Sequence, residues 1–174
     1  MKSEIYLVTG TAGTGKTSVM RELSRQGWNT IGIDEEDGLT AWIHKETKEI
    51  VRPGVELTDS FLQTHDWGCN VVKLKELLSQ TSKPVIVCGS CDNIDEVMQE
   101  CGESFVLVCE PEVFLPRIEQ RTDNQYGKSE EAKRQLLGYY KSYREQCIVA
   151  GAKPVDATPA LDLVVQQIIE NIGE

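Results

Sequence analysis

Eight residues near the N-terminus have the types and spacing of a loop that wraps a phosphate group. Residues 10–17 read GTAGTGKT, which fits the pattern G-x-x-x-x-G-K-[ST]. Glycines let successive backbone N–H groups turn towards one anion, and the N-terminus of the following helix adds partial positive charge. Lys16 is expected to reach the β- and γ-phosphates of a nucleotide, and the Thr17 hydroxyl to take one place on Mg²⁺. The predicted nucleotide-binding residues are Gly10, Thr11, Ala12, Gly13, Thr14, Gly15, Lys16 and Thr17.

A carboxylate stands at the end of the next predicted strand. Residues 30–33, TIGI, are followed by Asp34, and strand ends line the ligand crevice of a parallel α/β sheet. There Asp34 would hold Mg²⁺ or its water and accept a proton from a hydroxyl under attack. The alternative is that Asp34 belongs to a solvated acidic loop, because Glu35, Glu36 and Asp37 follow it.

Positive charge is concentrated between residues 117 and 144. This stretch holds seven basic and four acidic residues, so its net charge is +3 in a chain of net charge −10. Arg117 and Arg121 lie one helical turn apart and precede a polar turn that ends at Gly127. The pattern predicts a lid that brings arginine to a phosphoryl group and excludes water. The alternative is a helical hairpin whose arginines make only surface ion pairs.

The segment between the predicted strand end and residue 84 could bind a second substrate. Aromatic rings with a few polar groups suit a sugar, a base or a small polar metabolite. The simpler interpretation is that its two tryptophans are core residues and its two histidines lie on the surface. The candidate residues are Trp42, His44, Arg52, His65, Asp66 and Trp67.

The elements that must position these residues alternate along the chain. Strands are predicted at 5–9, 30–33, 84–88, 105–108 and 153–155, and helices at 16–26, about 59–80, 92–101, 112–121, 129–150 and 159–172. For the helix at 59–80, a break near Gly68 is the alternative. Residues 39–52 are predicted to form a small hairpin insert. Such alternation predicts an α/β fold, a parallel sheet with helices on both faces.

Length and composition restrict the class of protein. The 174 residues predict a single domain, with an insert at about 35–82 and a lid at about 117–130. The net charge of −10 disfavours general nucleic-acid binding. The sequence has no apolar run long enough for a membrane helix. It also has no signal-peptide pattern at its N-terminus. We therefore expect a cytoplasmic monomer or small homo-oligomer without nucleic-acid or membrane partners.

Six cysteines are expected to be reduced and mostly buried. Cys88 and Cys91 form a C-x-x-C between a predicted strand and a predicted helix, the placement of a thioredoxin-type motif. The same pair is half of a zinc site, but no second pair follows at zinc spacing. Ordinary thiols at a strand end are the favoured interpretation, with redox or metal chemistry as the alternative.

The loop at 10–17, Asp34, the two arginines and the strand before Asp156 together resemble one branch of the P-loop proteins. This branch holds the small-molecule and nucleoside-monophosphate kinases, such as adenylate, shikimate and gluconate kinases. Residues 121–128, RTDNQYGK, are similar to the lid of a bacterial group of kinase-like ATP-binding proteins. The resemblance implies five parallel strands, a small helical lid, ATP with Mg²⁺ and transfer of the γ-phosphoryl group. It implies catalytic roles for Lys16, Asp34 and Arg121, Mg²⁺ at Thr17 and Asp34, and ATP contacts from Arg117 and Arg121.

The sequence also departs from this pattern. Residues 88–91, CGSC, stand where a Gly-Gly-Arg type of substrate element is expected. A shikimate kinase pattern would also place a second carboxylate two residues after Asp34. Glu36 stands at that position, but the residues around it differ from the pattern. The acceptor therefore stays open. The leading hypothesis is a small-molecule kinase. The alternatives are a nucleoside-monophosphate kinase, a non-catalytic ATP-binding switch and, more distantly, a thiol oxidoreductase.

Overall fold

The computed structural model describes residues 4–51, 54–122 and 128–173. Strands and helices alternate along these residues, as the sequence predicts, except that two strands follow each other at 29–44 and two helices at 111–149. The elements are β1 (Ile5–Thr9), α1 (Lys16–Arg25), β2 (Asn29–Gly32), β3 (Thr40–His44), α2 (Asp59–Thr64), β4 (His65–Cys69), α3 (Val71–Gln80), β5 (Val85–Cys88), α4 (Ile94–Gln99), β6 (Glu103–Val108), α5 (Pro111–Gln120), α6 (Glu130–Val149), β7 (Lys153–Asp156) and α7 (Leu161–Ile172).

Five strands form a parallel sheet in the order β2-β5-β1-β6-β7. Successive residues of β1 point to opposite faces, so Tyr6 and Val8 join one core and Leu7 joins the other. Helices α1 and α7 cover the first face, and α3 and α4 cover the second. The predicted α/β class and five-stranded parallel sheet are confirmed.

Helix α6 joins the two sides of the fold because its residues enter both cores. The Ser129 side chain begins it by accepting a hydrogen bond from the Ala132 backbone N at 3.1 Å, as the sequence predicts. Further along, the Tyr143 hydroxyl is 2.7 Å from the Thr9 hydroxyl at the end of β1. This contact fixes α6 beside the C-terminal ends of the central strands.

Two sequence predictions for the insert are confirmed only in part. Residues 39–52 turn back on themselves through an antiparallel bridge between Ile43 and Ile50, but the main partner of β3 is β4, with Trp42 opposite Trp67. The helix predicted over 59–80 is interrupted around Gly68, and the interruption is a strand, β4, between α2 and α3. The cause is long-range, since the backbone N–H groups of Trp67 and Cys69 donate to the side chains of Asp92 and Asn93, far along the chain.

The other predicted elements keep their places and shift at their ends. Helix α4, for example, spans Ile94–Gln99 instead of 92–101. Within the described residues, no helix is both long enough and apolar enough to cross a membrane.

Candidate active site

A cavity of about 900 Å³ opens where the strands end. Its wall includes the loop after β1, Asp34 just after β2, and the segment after β5. This is expected for the carboxyl edge of a parallel sheet. The β3–β4 hairpin, the end of α5 and the middle of α6 complete it. Most predicted site residues line this cavity: Thr11, Ala12, Gly13, Gly15, Lys16, Thr17, Asp34, Arg117 and Arg121.

The glycines of the loop are needed for two different reasons. Gly15 lies directly before α1 with φ of 98°, a left-handed conformation that side chains resist. Gly13 has φ of 80°, and a Cβ there would lie 2.7 Å from the backbone oxygen of Phe114. The loop is supported from behind by Thr14, whose hydroxyl donates to the Thr11 oxygen at 2.7 Å, and by Gly10, which packs against Leu107.

Lys16 is the charged centre of the loop. Its Nζ donates to the backbone oxygen of Thr11 at 3.0 Å, which holds the ammonium group inside the curve of the loop. The pKa of Lys16 is lowered to about 8, mainly by burial; Asp34 opposes this effect and Arg121 adds to it. An anion bound nearby would raise this lowered pKa, because negative charge favours the protonated form of lysine.

The Thr11 hydroxyl also indicates that the loop binds an anion. Among the described residues it is the one buried side-chain oxygen or nitrogen without a hydrogen-bond partner. Buried polar atoms are normally satisfied, so a group supplied from outside the chain is expected here. A nucleotide phosphate fits the loop on three counts: the glycine conformations, the caged lysine and this unpartnered hydroxyl.

Asp34 faces the loop from the end of β2. Its Oδ1 accepts a hydrogen bond from the Trp67 indole nitrogen at 2.9 Å. A side pocket of about 30 Å³ beside it is lined by Lys16, Thr17, Asp34 and Glu35, among others. Hydroxyl and carboxylate oxygens are the donors that Mg²⁺ prefers, and this ion usually takes one or two carboxylates plus phosphate oxygens. The donor set therefore fits Mg²⁺, although the described residues hold no cluster of three or more metal-ligating side chains.

Gly89 allows Asp34 to reach this position. It follows β5 with φ of 145°, and a Cβ there would collide with the Ile33 side chain and lie 3.2 Å from Asp34 Oδ2. The CGSC segment thus supplies close backbone approach between β5 and β2.

The two predicted arginines reach the cavity from α5. Arg117 donates to the backbone oxygen of Ala157 at 2.9 Å, which joins α5 to the loop after β7. Arg121 lies close enough to Lys16 to lower its pKa. Its backbone oxygen accepts a hydrogen bond from Lys128 at 2.5 Å. The predicted polar turn of the lid lies largely outside the described residues, since the description omits 123–127.

The opposite end of the cavity is built around Trp67. Its indole contacts Asp34, while its backbone N–H donates to Asp92 Oδ2 at 2.6 Å. The other Asp92 oxygen accepts from the Tyr139 hydroxyl at 2.8 Å. Burial raises the pKa of Asp92, and these two hydrogen bonds oppose that effect. Trp67 therefore connects two carboxylates of one cavity.

The remaining candidate residues of the insert divide into three groups. Trp42, His65 and Asp66 line the cavity with Trp67, so the tryptophans are not purely core residues. His44 is half-buried and packs edge-on against His65, with ring centroids 4.9 Å apart. Arg52 lies outside the described residues.

The sequence of residues 7–138 matches the protein family described as "AAA domain". The chain belongs to this family. The predicted P-loop interpretation is thereby confirmed, because the matched region includes the phosphate-binding loop, the hairpin and the arginines of α5. No curated protein sequence matches the chain.

Solved structures similar to this AAA-domain chain include several kinases. Shikimate kinase from Acinetobacter baumannii in complex with shikimate has a TM-score of 0.63 at 17% identity, over 97% of this chain and 92% of that chain. A gluconokinase from Sinorhizobium meliloti 1021 has a TM-score of 0.56 at 19% identity, over 97% and 90% of the two chains. Deoxyadenosine kinase from M. mycoides has a TM-score of 0.59 at 14% identity, over 97% and 98%. At such identities the likeness establishes a P-loop kinase-like fold.

Sequence reasoning missed several residues that this AAA-domain chain brings to the site. Asp92 could have been predicted from the sequence, since it follows a predicted strand by four residues and strand ends line the crevice. Lys45, Gln135 and Tyr139 carried no comparable signal. Their place depends on how the hairpin and α6 pack over the sheet.

The cysteines are free and mostly buried, as the sequence predicts. All six are free, and all but Cys101 are buried. Burial raises the pKa of Cys88 to about 12, which disfavours a thiolate at neutral pH. A hydrogen bond with Cys69, together with burial, raises the pKa of Cys91. Cys91 thus shares its hydrogen bond with a thiol outside the C-x-x-C.

Proposed function

We propose that this protein is an ATP-dependent phosphotransferase that moves the γ-phosphoryl group of ATP to the hydroxyl of a small molecule. The observation that carries the proposal is the placement of Lys16 and Asp34 on one cavity, with a phosphate-binding loop on one side and an aromatic chamber on the other. The fold shared with shikimate kinase, gluconokinase and deoxyadenosine kinase supports it.

The loop and Lys16 hold the ATP phosphates. Backbone N–H groups of residues 11–17 and the N-terminus of α1 bind the β-phosphate region, and Lys16 neutralises charge on the β- and γ-oxygens. Thr17 and Asp34 are the residues that would hold Mg²⁺, which would supply positive charge that offsets the negative charge of the phosphates. Arg117 and Arg121 stabilise charge on the group in transfer.

Asp34 handles the acceptor. The acceptor oxygen forms a bond to the γ-phosphorus as the bond between that phosphorus and the ADP oxygen breaks, and the hydroxyl proton passes to an Asp34 oxygen. Trp67 orients the carboxylate through its indole N–H. We further propose a single domain over residues 1–174, with 35–82 as the acceptor region and 117–130 as a lid that closes over the phosphates.

An ADP-release assay with a panel of hydroxyl acceptors tests the proposal. Wild-type turnover should rise with one acceptor class. Asp34→Asn keeps the shape of the side chain but removes charge and basicity. We expect it to lower turnover by about a hundredfold or more and to leave ATP affinity within about tenfold. Arg121→Ala is expected to behave in the same way.

Asp37→Asn is the matched control, because the same substitution then falls in the same acidic stretch but outside the cavity lining. It should leave turnover unchanged. Equal acceptor-stimulated turnover in wild type, Asp34→Asn and Arg121→Ala would refute the catalytic roles. ATP binding without stimulation by any acceptor would favour an ATP-binding switch.

A further inference from the structure

The acceptor end of the cavity differs in chemistry from the phosphate end. It comprises Trp42, His65, Asp66, Trp67, Asp92 and Tyr139, with leucine side chains between them. All six residues are partly exposed, so they form a surface that a ligand can touch. Its composition indicates what kind of acceptor fits.

The rings of this end are fixed before any ligand arrives. Trp42 packs against Trp67 with centroids 5.2 Å apart and planes tilted by 59°, and against Phe61 edge-on at 5.6 Å. In addition to this packing, the indole N–H of Trp67 donates a hydrogen bond to Asp34, which also fixes the ring. Rigid, half-exposed aromatic faces favour a flat ligand, because stacking then costs little conformational entropy.

The charges of this end favour a ligand without negative charge. Asp66 and Asp92 line the cavity at this end, and Asp34 lies where the two ends meet. Among the described residues of this end the cation is Lys45, and its Nζ lies 3.6 Å from Asp66 Oδ1. Arg117 and Arg121 belong to the other end, beside Ala157 and Lys16. A carboxylate or phosphate on the acceptor would therefore meet like charge, which disfavours binding.

Both observations lead to one ligand class. We propose that the acceptor is a hydroxyl compound with a flat ring and no anionic group, the chemistry of a nucleoside. This inference rests on the proposed phosphotransferase function. The same hydroxyl attack then yields a phosphate ester of that alcohol and ADP, with the proton on Asp34.

Matched pairs of probes test the inference. Calorimetry would be run with a non-hydrolysable ATP analogue at saturation, so that the nucleotide site is filled. The probes are cytidine, thymidine and adenosine, their 5′-monophosphates, the acids shikimate and gluconate, and the neutral polyol myo-inositol. We expect at least one nucleoside to bind, with its 5′-monophosphate, both acids and the polyol at least tenfold weaker. The nucleoside that binds should also stimulate ADP release.

Variants separate the stacking argument from the charge argument. Trp42→Leu should weaken nucleoside binding about tenfold and leave affinity for the ATP analogue within about twofold, which also shows that the variant folds. Trp28→Leu is the matched control, since Trp28 packs against the α1–α7 core instead of the cavity. Asp66→Asn should narrow the gap between a nucleoside and its monophosphate by about fivefold, because it removes a carboxylate that is 46% exposed.

The outcomes distinguish the inference from the proposed function. Tighter binding of monophosphates or acids than of nucleosides would overturn the inference and leave the phosphotransferase standing. Tighter binding of myo-inositol, or binding of the ATP analogue without binding of any nucleoside, would also overturn it. Failure of the wild type to bind the ATP analogue would refute the proposed function itself.

Discussion

The two ends of the cavity are built in opposite ways. The phosphate end consists of eight consecutive residues, from the end of β1 into the first turn of α1, with two arginines added, and Asp34 lies where the two ends meet. The acceptor end takes its residues from β3, β4, the segment after β5 and α6, which are far apart in the sequence. The first is determined by local conformation, and the second by packing. This difference explains why one end was predicted in detail and the other only in outline.

The two ends also differ in what a side chain at one of their glycines would contact. A Cβ at Gly13 of the loop would meet the backbone oxygen of Phe114 at 2.7 Å, and backbone cannot move aside. A Cβ at Gly68 of β4 would meet the tip of the Ile43 side chain at the same distance. A flexible side chain can shift, so the acceptor end should tolerate sequence change that the phosphate end does not.

The largest expected effect lies at the phosphate end. Lys16→Ala removes the ammonium group that the loop encloses, and we expect ATP affinity to fall by about a hundredfold. Lys45→Ala is the matched control at the acceptor end and should leave ATP affinity within about twofold. Calorimetry of both variants with ATP and Mg²⁺ checks this. Equal losses in the two variants would show that the ends are not separate.

Glycine substitutions compare the stability of the two ends. Gly13→Ala combines a left-handed φ with a backbone collision, so we expect it to lower the free energy of unfolding by about 2–3 kcal/mol. Gly68→Ala should cost less than about 1 kcal/mol, because Ile43 can change rotamer. Chemical denaturation measures both values. A larger loss for Gly68→Ala would contradict the contrast.

The pH dependence of ATP binding should reveal Lys16. Its pKa of about 8 means that the ammonium form, which phosphate requires, is present below pH 8 and is lost above it. Bound phosphate raises this pKa, so affinity should be constant below pH 8 and fall by up to about tenfold per pH unit above it. Calorimetry at pH 7 to 10 follows the change. Lys16→Arg, which stays charged, should give a flat profile, and a flat wild-type profile would disprove the assignment.

The smallest effect concerns the link between the two ends. Trp67→Phe keeps a ring but removes the indole N–H that donates to Asp34. We expect kcat to fall about fivefold, the equivalent of about 1 kcal/mol, with ATP affinity unchanged. Steady-state kinetics separate kcat from KM. An unchanged kcat would show that Asp34 keeps its orientation without Trp67.

Much of the fold could be derived from the sequence. Buried apolar runs such as β5 and β6 predicted the strands of a parallel sheet, and Ser129 marked the start of α6. The phosphate loop was equally readable, because its glycine conformations and the helix that follows depend on neighbours in the chain. Asp34 followed from the rule that strand ends line the crevice.

Tertiary structure decided the rest. Residues 65–69 fall within the helix predicted at about 59–80, next to its alternative break near Gly68, yet they form β4 because Asp92 and Asn93 accept their backbone hydrogen bonds and β3 lies alongside. That pairing places Trp42 beside Trp67 and gives the acceptor end its rings. Tyr139 joins them because α6 packs over the strand ends. Contacts between residues so distant in the chain leave no local pattern, so the sequence alone determined the loop predicted to bind phosphate, and packing determined which side chains lie opposite it.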